Sequence, residues 1–362
     1  YIARSGGPTE DFGVAFRVNS AADLADLTVG RLLTMPVSMV REFSPEAMTV
    51  MKISAQQDID ICRKLYARFP KFGEQIAGQP SRVYMREVDM GTDRGLFPEG
   101  AGGLPLYQGV MIAAHDYRAA AYVSGRALKA VWAELPFGDP CKAVVPQWRV
   151  PRDLVPSKLV NWIGSYQTGF RDIARSTDER SLIAALIQPE VVCGHSVPTI
   201  TFAGGSPPDI LLWLGVANTM YIDFVVRKRL AMHLTYTLMD ALPFPRDWRR
   251  TPCAEAITAR AYALFACGPE MEGFRNAVTG TPGVPRGTEP VEDPGARELL
   301  TAEIEVLVAR GGYGLNRDDL LFILDPDNIL GPNSGVETFK ALRNREQRIC
   351  REYRTQRLVL DA

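Results

Sequence analysis

The sequence predicts an α+β protein in three consecutive parts, and three observations predict it. Residues 1–98 combine a strand-like alternation with a helical pattern, the mark of a mixed α/β segment. Residues 104–250 read as strands and loops with two helices, and residues 251–362 read as mostly helical. A chain of 362 residues also exceeds the ~100–200 of a typical domain, so two or three packed units are expected.

Phe12 to Val18 alternates like a short half-buried strand, and Ser44-Pro45 then breaks the chain. After Ser54, apolar Ile59, Cys62, Tyr66 and Phe69 recur at three- and four-residue spacing, which predicts a helix with one face in the core. The run Phe97-Pro98-Glu99-Gly100-Ala101-Gly102-Gly103 predicts a loop. Ser176-x-x-Glu179 has the form of a capping box, in which hydroxyl and carboxylate satisfy the free amides of a helix start. It predicts a helix carrying Leu182, Ile183, Ala185 and Leu186 and stopping before Pro189. Pro207-Pro208-Asp209 is a second start signal, with proline suited to the first turn and Asp to the positive dipole end. That helix is predicted to run to about Arg229. Further helices are expected over 253–267, 295–310 and 317–324, then a long final one from about Val336. The Gly- and Pro-rich stretch 278–295 separates helical pieces, and no internal repeat is visible.

Composition excludes several classes. With 46% hydrophobic and 23% charged residues the chain can fill sizeable cores and is not disordered. Lys+Arg 41 against Asp+Glu 42 gives a net charge of −1, so no global basic field advertises nucleic acid or an acidic membrane. Cys62, Cys141, Cys193, Cys253, Cys267 and Cys350 form no C-x-x-C, which argues against a zinc ribbon or redox dithiol and fits free thiols in a reducing cytosol. With only His115, His195 and His233, and no H-E-x-x-H, no histidine-based metal site is expected. The longest apolar run, Ile210 to Ile222, is shorter than the ~20 residues of a spanning helix, and nothing reads as a signal peptide. A soluble cytoplasmic protein is expected, and the start on Tyr1 suggests a fragment or processed product.

The chain carries no evident catalytic motif. Phe202-Ala203-Gly204-Gly205 followed by Ser206-Pro207-Pro208-Asp209 superficially combines a cofactor glycine loop with a methyltransferase motif. The two abut, however, and the last position is Asp rather than an aromatic that stacks on a flipped base. A metal-dependent nuclease core needs a carboxylate two residues before a lysine, so that both face one side of a strand. None of the eight lysines has one. No P-loop, G-x-S-x-G or kinase signature is present, and the chain by itself is expected to catalyse nothing.

Positive charge is uneven. Between Cys141 and Arg250 there are 13 Lys+Arg against 9 Asp+Glu, a local +4. It concentrates in Arg171, Arg175 and Arg180, in Arg227-Lys228-Arg229, and in Arg246, Arg249 and Arg250. Arg outnumbers Lys 33 to 8, which a GC-rich gene explains as well as guanine and phosphate recognition does. In the predicted last helix Arg345, Arg348, Arg351, Arg354 and Arg357 recur every third residue beside an apolar stripe of Phe339, Leu342, Ile349, Tyr353 and Leu360. Arg345, Arg348 and Arg351 point away from that stripe, as on a solvated face.

The segment Gly169-Phe-Arg-Asp-Ile-Ala-Arg-Ser-Thr-Asp-Glu-Arg-Ser-Leu-Ile-Ala-Ala-Leu-Ile187 resembles a stretch of the target-recognition region of large adenine-N6 DNA methyltransferases. These are the enzymes of type IIG restriction–modification and of the DISARM and BREX phage-defence systems. Further blocks are similar and follow the family's order: Leu104-Pro-Leu-Tyr-Gln-Gly-Val-Met-Ile112 with Asp116-Tyr-Arg118 and Tyr122, then Leu214-Gly-Val-Ala-Asn-Thr219 with Asp223, His233 and Leu242-Pro-Phe-Pro245. The last are Tyr313-Gly-Leu, Asp318-Asp319, Ile323-Leu-Asp325, Glu337-Thr-Phe339 and Glu352-Tyr-Arg-Thr-Gln-Arg-Leu358. The blocks cover the chain from about residue 44 to its end, and their joint order is more specific than any one of them. Gln188 stands where the family usually has proline, Arg351 where it has glycine, and Ala114-His115-Asp116 replaces a common Gln-Phe-Asp.

The resemblance implies the C-terminal half of such an enzyme, with 1–98 as a connector, 104–250 as the DNA target-recognition domain and 251–362 as a helical C-terminal domain. It implies S-adenosylmethionine and the flipped adenine in an upstream catalytic domain, and no cofactor in this chain. Double-stranded DNA, that upstream domain and other defence-system subunits are the implied partners, with no membrane. Arginine contacts to phosphate fix register and a few side chains select bases. Arg171, Arg175 and Arg180 are the first candidates for DNA contact, and Arg227, Arg229 and His233 the second. Arg180 at the predicted helix start suits a bound phosphate, whereas pairing of Arg175 or Arg180 with Asp172, Asp178 or Glu179 suits a structural tie. Asp116 and Arg118 are expected to brace strands. The alternative is a non-catalytic scaffold subunit of a phage-defence complex, whose helical tail docks a partner protein. A third option is a restriction enzyme with its nuclease upstream.

Overall fold

The computed structural model describes residues 6–16, 18, 20–25, 27, 32–44, 48, 50–126, 129–139, 142–230, 232–245, 247–281, 283–332, 336 and 338–362. Tyr1, Pro45, Cys141, Arg246 and Glu337, all singled out by the sequence, lie outside the described residues. Helix makes up 42% and strand 16%, the strands divided among several small sheets rather than one large one, so the fold is α+β.

Four strands form the sheet that anchors the middle of the chain. Their order is Ser81–Met85, Thr199–Ala203, Gln167–Phe170, Ala184–Ile187, all pairs antiparallel. A three-stranded sheet, Val192–Cys193, Leu104–Tyr107 and Trp148–Val150, lies alongside in the chain and closes a small core around Phe97, Leu106 and Val150. The hairpins Asp11–Val14 with Leu33–Pro36 and Ala120–Ser124 with Val131–Glu134 complete the strands described.

The expected helix behind Ser176-x-x-Glu179 does not form. Residues 172–183 are loop and turn, and Ala184–Ile187 is the edge strand of the four-stranded sheet. The physical reason is burial on every side. Leu182 through Ile187 is an unbroken apolar run, each residue at most 9% exposed, and a fully buried strand accommodates such a run in one layer. The local backbone groups also have better partners than a helix offers. Asp223 accepts the N–H of Ser181 at 2.8 Å and of Leu182 at 3.3 Å, and the Arg227 guanidinium takes the carbonyls of Ser176, Asp178 and Glu179.

The Pro207 start signal holds: the Asp209 carboxylate accepts the Ser206 N–H at 2.8 Å and its hydroxyl at 2.6 Å. The helix is nevertheless two helices, Pro207–Ala217 and Met220–Arg229, bent by 66°. Asn218 sets the break. Its side-chain amide accepts the Ala184 N–H at 3.1 Å and donates to the Ala184 carbonyl at 3.0 Å, standing in for a neighbouring strand. Among the described residues no single helix is long and apolar enough to cross a membrane, and the helices of this bent pair lie in the core.

The helical C-terminal part packs on that pair. Ala254–Phe265 lies against Pro207–Ala217, where Gly215 faces Ile257 and Ala261 with only 3.1 Å between an added Cβ and the Ile257 branch. Pro294–Val306 runs on into a π-helical turn, Leu307–Tyr313, ended by Gly314 in the left-handed region at φ 70. The single long final helix expected from the arginine spacing is broken into Lys340–Cys350 and Arg354–Asp361, with Arg351 at φ 62 between them. One core cluster draws residues from Met35 to Val359, so all three segments of the chain contribute to it.

Candidate nucleic-acid interface

The arginines of the 171–180 segment are mostly held by the protein itself. Arg171 donates from Nε to the Gly109 carbonyl at 2.7 Å and the Ile112 carbonyl at 2.9 Å. Burial pushes its guanidinium below its ordinary pKa. Arg180 lies 3.1 Å from the Asp223 carboxylate, donates to the Asn218 carbonyl and is 17% exposed. The Arg180 phosphate site therefore loses both its helix start and its free cation. Arg175 differs: its side chain is exposed and no partner for it lies among the described residues.

Arg227 is fully committed. Nε donates to Asp223 at 2.7 Å, one terminal nitrogen to Ser176 and Thr338 carbonyls, and the other to Asp178 and Glu179 carbonyls. A guanidinium has five N–H donors, and these bonds use all of them. The side chain, 6% exposed and 4.3 Å from the centre of the Phe339 ring, ties three segments together.

Two positions further along the same helix the surroundings change. Arg229 and His233 open onto a cleft of about 790 Å³ between the Met220–Arg229 helix, the chain around Lys71–Glu74 and the Tyr236–Asp240 helix. Lys52, Lys71, Arg82, Lys228, Arg229 and His233 bring positive or protonatable groups to it, against the carboxylates of Glu74 and Asp240. Asp240 is taken by Arg82, whose two nitrogens meet its two oxygens at 2.8 and 2.6 Å. His233 is half exposed, with Nδ1 3.0 Å from Asp172. Burial lowers the Lys71 ammonium from its usual range, and its Nζ donates to the Glu42 carbonyl. Among the described residues the Arg229 guanidinium reaches the Tyr66 hydroxyl, at 3.4 Å, and no other acceptor.

A second pocket of about 310 Å³ adjoins the first and shares Lys52, Arg227 and Lys228 with it. Lys340 lies on its other side, and no carboxylate lines it among the described residues. The two concavities make one basic trough. The sequence placed Arg227, Arg229 and His233 in this neighbourhood but missed Lys52, Lys71, Arg82 and Lys340. These lie far apart in the chain. The Lys52 N–H···Lys228 carbonyl bond at 2.9 Å joins one of them to the helix, and the Phe72 N–H···Leu242 and Gly73 N–H···Asp240 carbonyl bonds, both 2.8 Å, set Lys71 against the chain that follows it.

Several of the other sequence-selected cations are paired. Arg249 and Arg250 lie 4.0 and 3.5 Å from Asp247, and Arg345 lies 3.1 Å from Glu179. Asp116 and Arg118, expected to brace strands, instead hold a loop: Asp116 pairs with the buried Lys142 ammonium at 2.7 Å, and Arg118 donates to the Lys142 carbonyl at 2.9 Å. Among the described residues no group of three or more His, Cys, Asp or Glu could hold a metal ion. Compared with models of known protein families and with curated proteins, the chain finds no match.

Proposed function

We propose that this chain is the DNA target-recognition portion of a cytoplasmic adenine-N6 DNA methyltransferase that modifies host DNA in a restriction or phage-defence system. The observation that carries this reading is the basic trough, where exposed Lys52 and His233 and half-buried Arg229 line two joined concavities. Cations on a concave surface attract a polyanion by releasing its counterions. The ordered blocks of family resemblance support it further. Two fall on backbone pivots: Asn218-Thr219 at the 66° bend, and Arg351 at φ 62, a conformation natural to the glycine the family has there. S-adenosylmethionine and the target adenine belong, on this reading, to an upstream catalytic domain. The trough supplies phosphate contacts, and exposed Arg175 stands on the loop beside it.

The test is a titration of duplex DNA over a salt series. Each neutralised phosphate contributes a slope of ~−0.9 in log affinity against log salt. Arg229→Ala and Lys52→Ala are expected to weaken binding and flatten that slope in a folded chain. Affinity unchanged by both sinks the reading.

One observation favours the scaffold alternative. Leu299 and Ile349, on two C-terminal helices, are 54% and 63% exposed, and Lys340–Cys350 buries none of its residues. If duplex DNA fails to bind at low salt, that helix is the surface to test for a protein partner.

A further inference from the structure

The smaller pocket has chemistry of its own. Beyond its cations the residues that line it include Ser54, Ser176, Thr177 and Asn344, each of which carries a polar side chain. None of these four side chains, nor the Lys52 ammonium, has a hydrogen-bond partner among the described residues. Lys228 is among the lining residues, its side chain only 7% exposed. One of its three N–H donors goes to the buried Asp58 carboxylate at 2.7 Å, and no other acceptor for it lies among the described residues. Its ammonium sits 4.5 Å from the centre of the Phe224 ring, on a wall of the same pocket. A buried ammonium that keeps donors to spare after its bond to Asp58, in a pocket that no carboxylate lines among the described residues, suits one kind of guest: a compact oxyanion that accepts several hydrogen bonds. The first residues of the Lys340–Cys350 helix also line it, which adds to the positive potential.

We propose that this pocket is a phosphoryl-binding site, which takes one phosphate group between Lys52, Lys228 and the Ser54, Ser176 and Thr177 hydroxyls. Its volume of about 310 Å³ is at the lower end of ligand pockets, enough for a phosphate and part of whatever bears it. The group comes from a nucleic-acid backbone or from a free nucleotide, and the site does not depend on the DNA reading above.

Calorimetric titration of the full chain with inorganic phosphate tests this directly. Saturable binding of one phosphate per chain is expected, weakened about tenfold or more by Lys52→Glu and by Ser176→Ala. Lys158→Glu, an exposed cation away from the pocket, should leave it unchanged. Competition by a short duplex assigns the phosphoryl group to a nucleic-acid backbone, and competition by ATP alone assigns it to a free nucleotide. Both results support the site. Absence of saturable phosphate binding, or the same affinity in Lys52→Glu, overturns it even if duplex DNA binds elsewhere in the trough. Phosphate binding without any duplex binding keeps the site and removes the DNA reading instead.

Discussion

Two basic regions meet on the Met220–Arg229 helix and differ in what their cations touch. On one side Arg180 and Arg227 close on Asp223, which is fully buried and also caps the amides of Ser181 and Leu182. On the other side Arg229, His233 and Lys52 line an open trough. Arg227 and Arg229 are two residues apart in the chain, yet one has every donor occupied by protein and the other, among the described residues, has a single weak contact. An arginine's availability to a ligand is decided by how many carbonyls and carboxylates reach it first. Local arginine density does not report that.

Four experiments break or sharpen this contrast. The largest effect is expected at Asp223. Asp223→Asn leaves Arg180 and Arg227 buried without a counter-charge, and removing one partner of such a network costs about 3–5 kcal/mol. Urea unfolding measures it, and a loss under ~1 kcal/mol would mean the network is not what fixes the 172–183 loop.

Glu305 gives the next effect, and it depends on pH. Its carboxylate accepts the Met220 N–H at 2.9 Å at the helix bend, and burial pushes its pKa up to about 8 from 4.5, with Arg180 opposing. Between those values the folded chain keeps a proton that the unfolded chain releases. Stability therefore falls as pH rises through this window, by on the order of a few kcal/mol. Glu305→Gln retains the acceptor and should remove the fall, which melting curves at a series of pH values will read. An unchanged slope in the variant would place the titration elsewhere.

Arg171→Ala comes third. It removes charged donors from two carbonyls, so it should cost about 1–3 kcal/mol of stability and leave the salt slope of DNA binding as it was. A flattened slope with intact stability would return Arg171 to the interface. The smallest stability effect is expected in the trough itself. Arg229→Ala should move unfolding by only about 0.5 kcal/mol while it reduces the salt slope by about one contact. Stability lost without a change in DNA binding would make the trough as structural as the Asp223 region.

The same contrast explains what could be read early. The Gln56–Arg68 helix follows from its apolar spacing, and its start is fixed by Asp58, which accepts the N–H groups of Ser54 and Ala55 at 2.6 and 3.1 Å. The Pro207 start follows from Ser206 and Asp209 in the same local way. The segment 176–187 carried an equally good local signal and folds otherwise, because its carbonyls bond to Arg227 and its apolar run is covered from all sides. Arg229 and His233 were legible as basic residues after a helix. Lys52, Lys71 and Lys340 carried no signal, since each stands alone in its own stretch of sequence.

The sequence by itself determined the α+β class, the Gln56–Arg68 helix, the Pro207 helix start and a surplus of positive charge in the middle of the chain. These rest on periodicity and on contacts within four residues, which a linear reading contains. Only the tertiary structure decided which cations are used up and which remain open. That outcome depends on Asp58 and the 176–179 carbonyls reaching across 48 to 170 positions of chain to claim Lys228 and Arg227. Electrostatic pairing at such separations is set by packing, because the buried partner must be brought within ~3 Å before it can outcompete water.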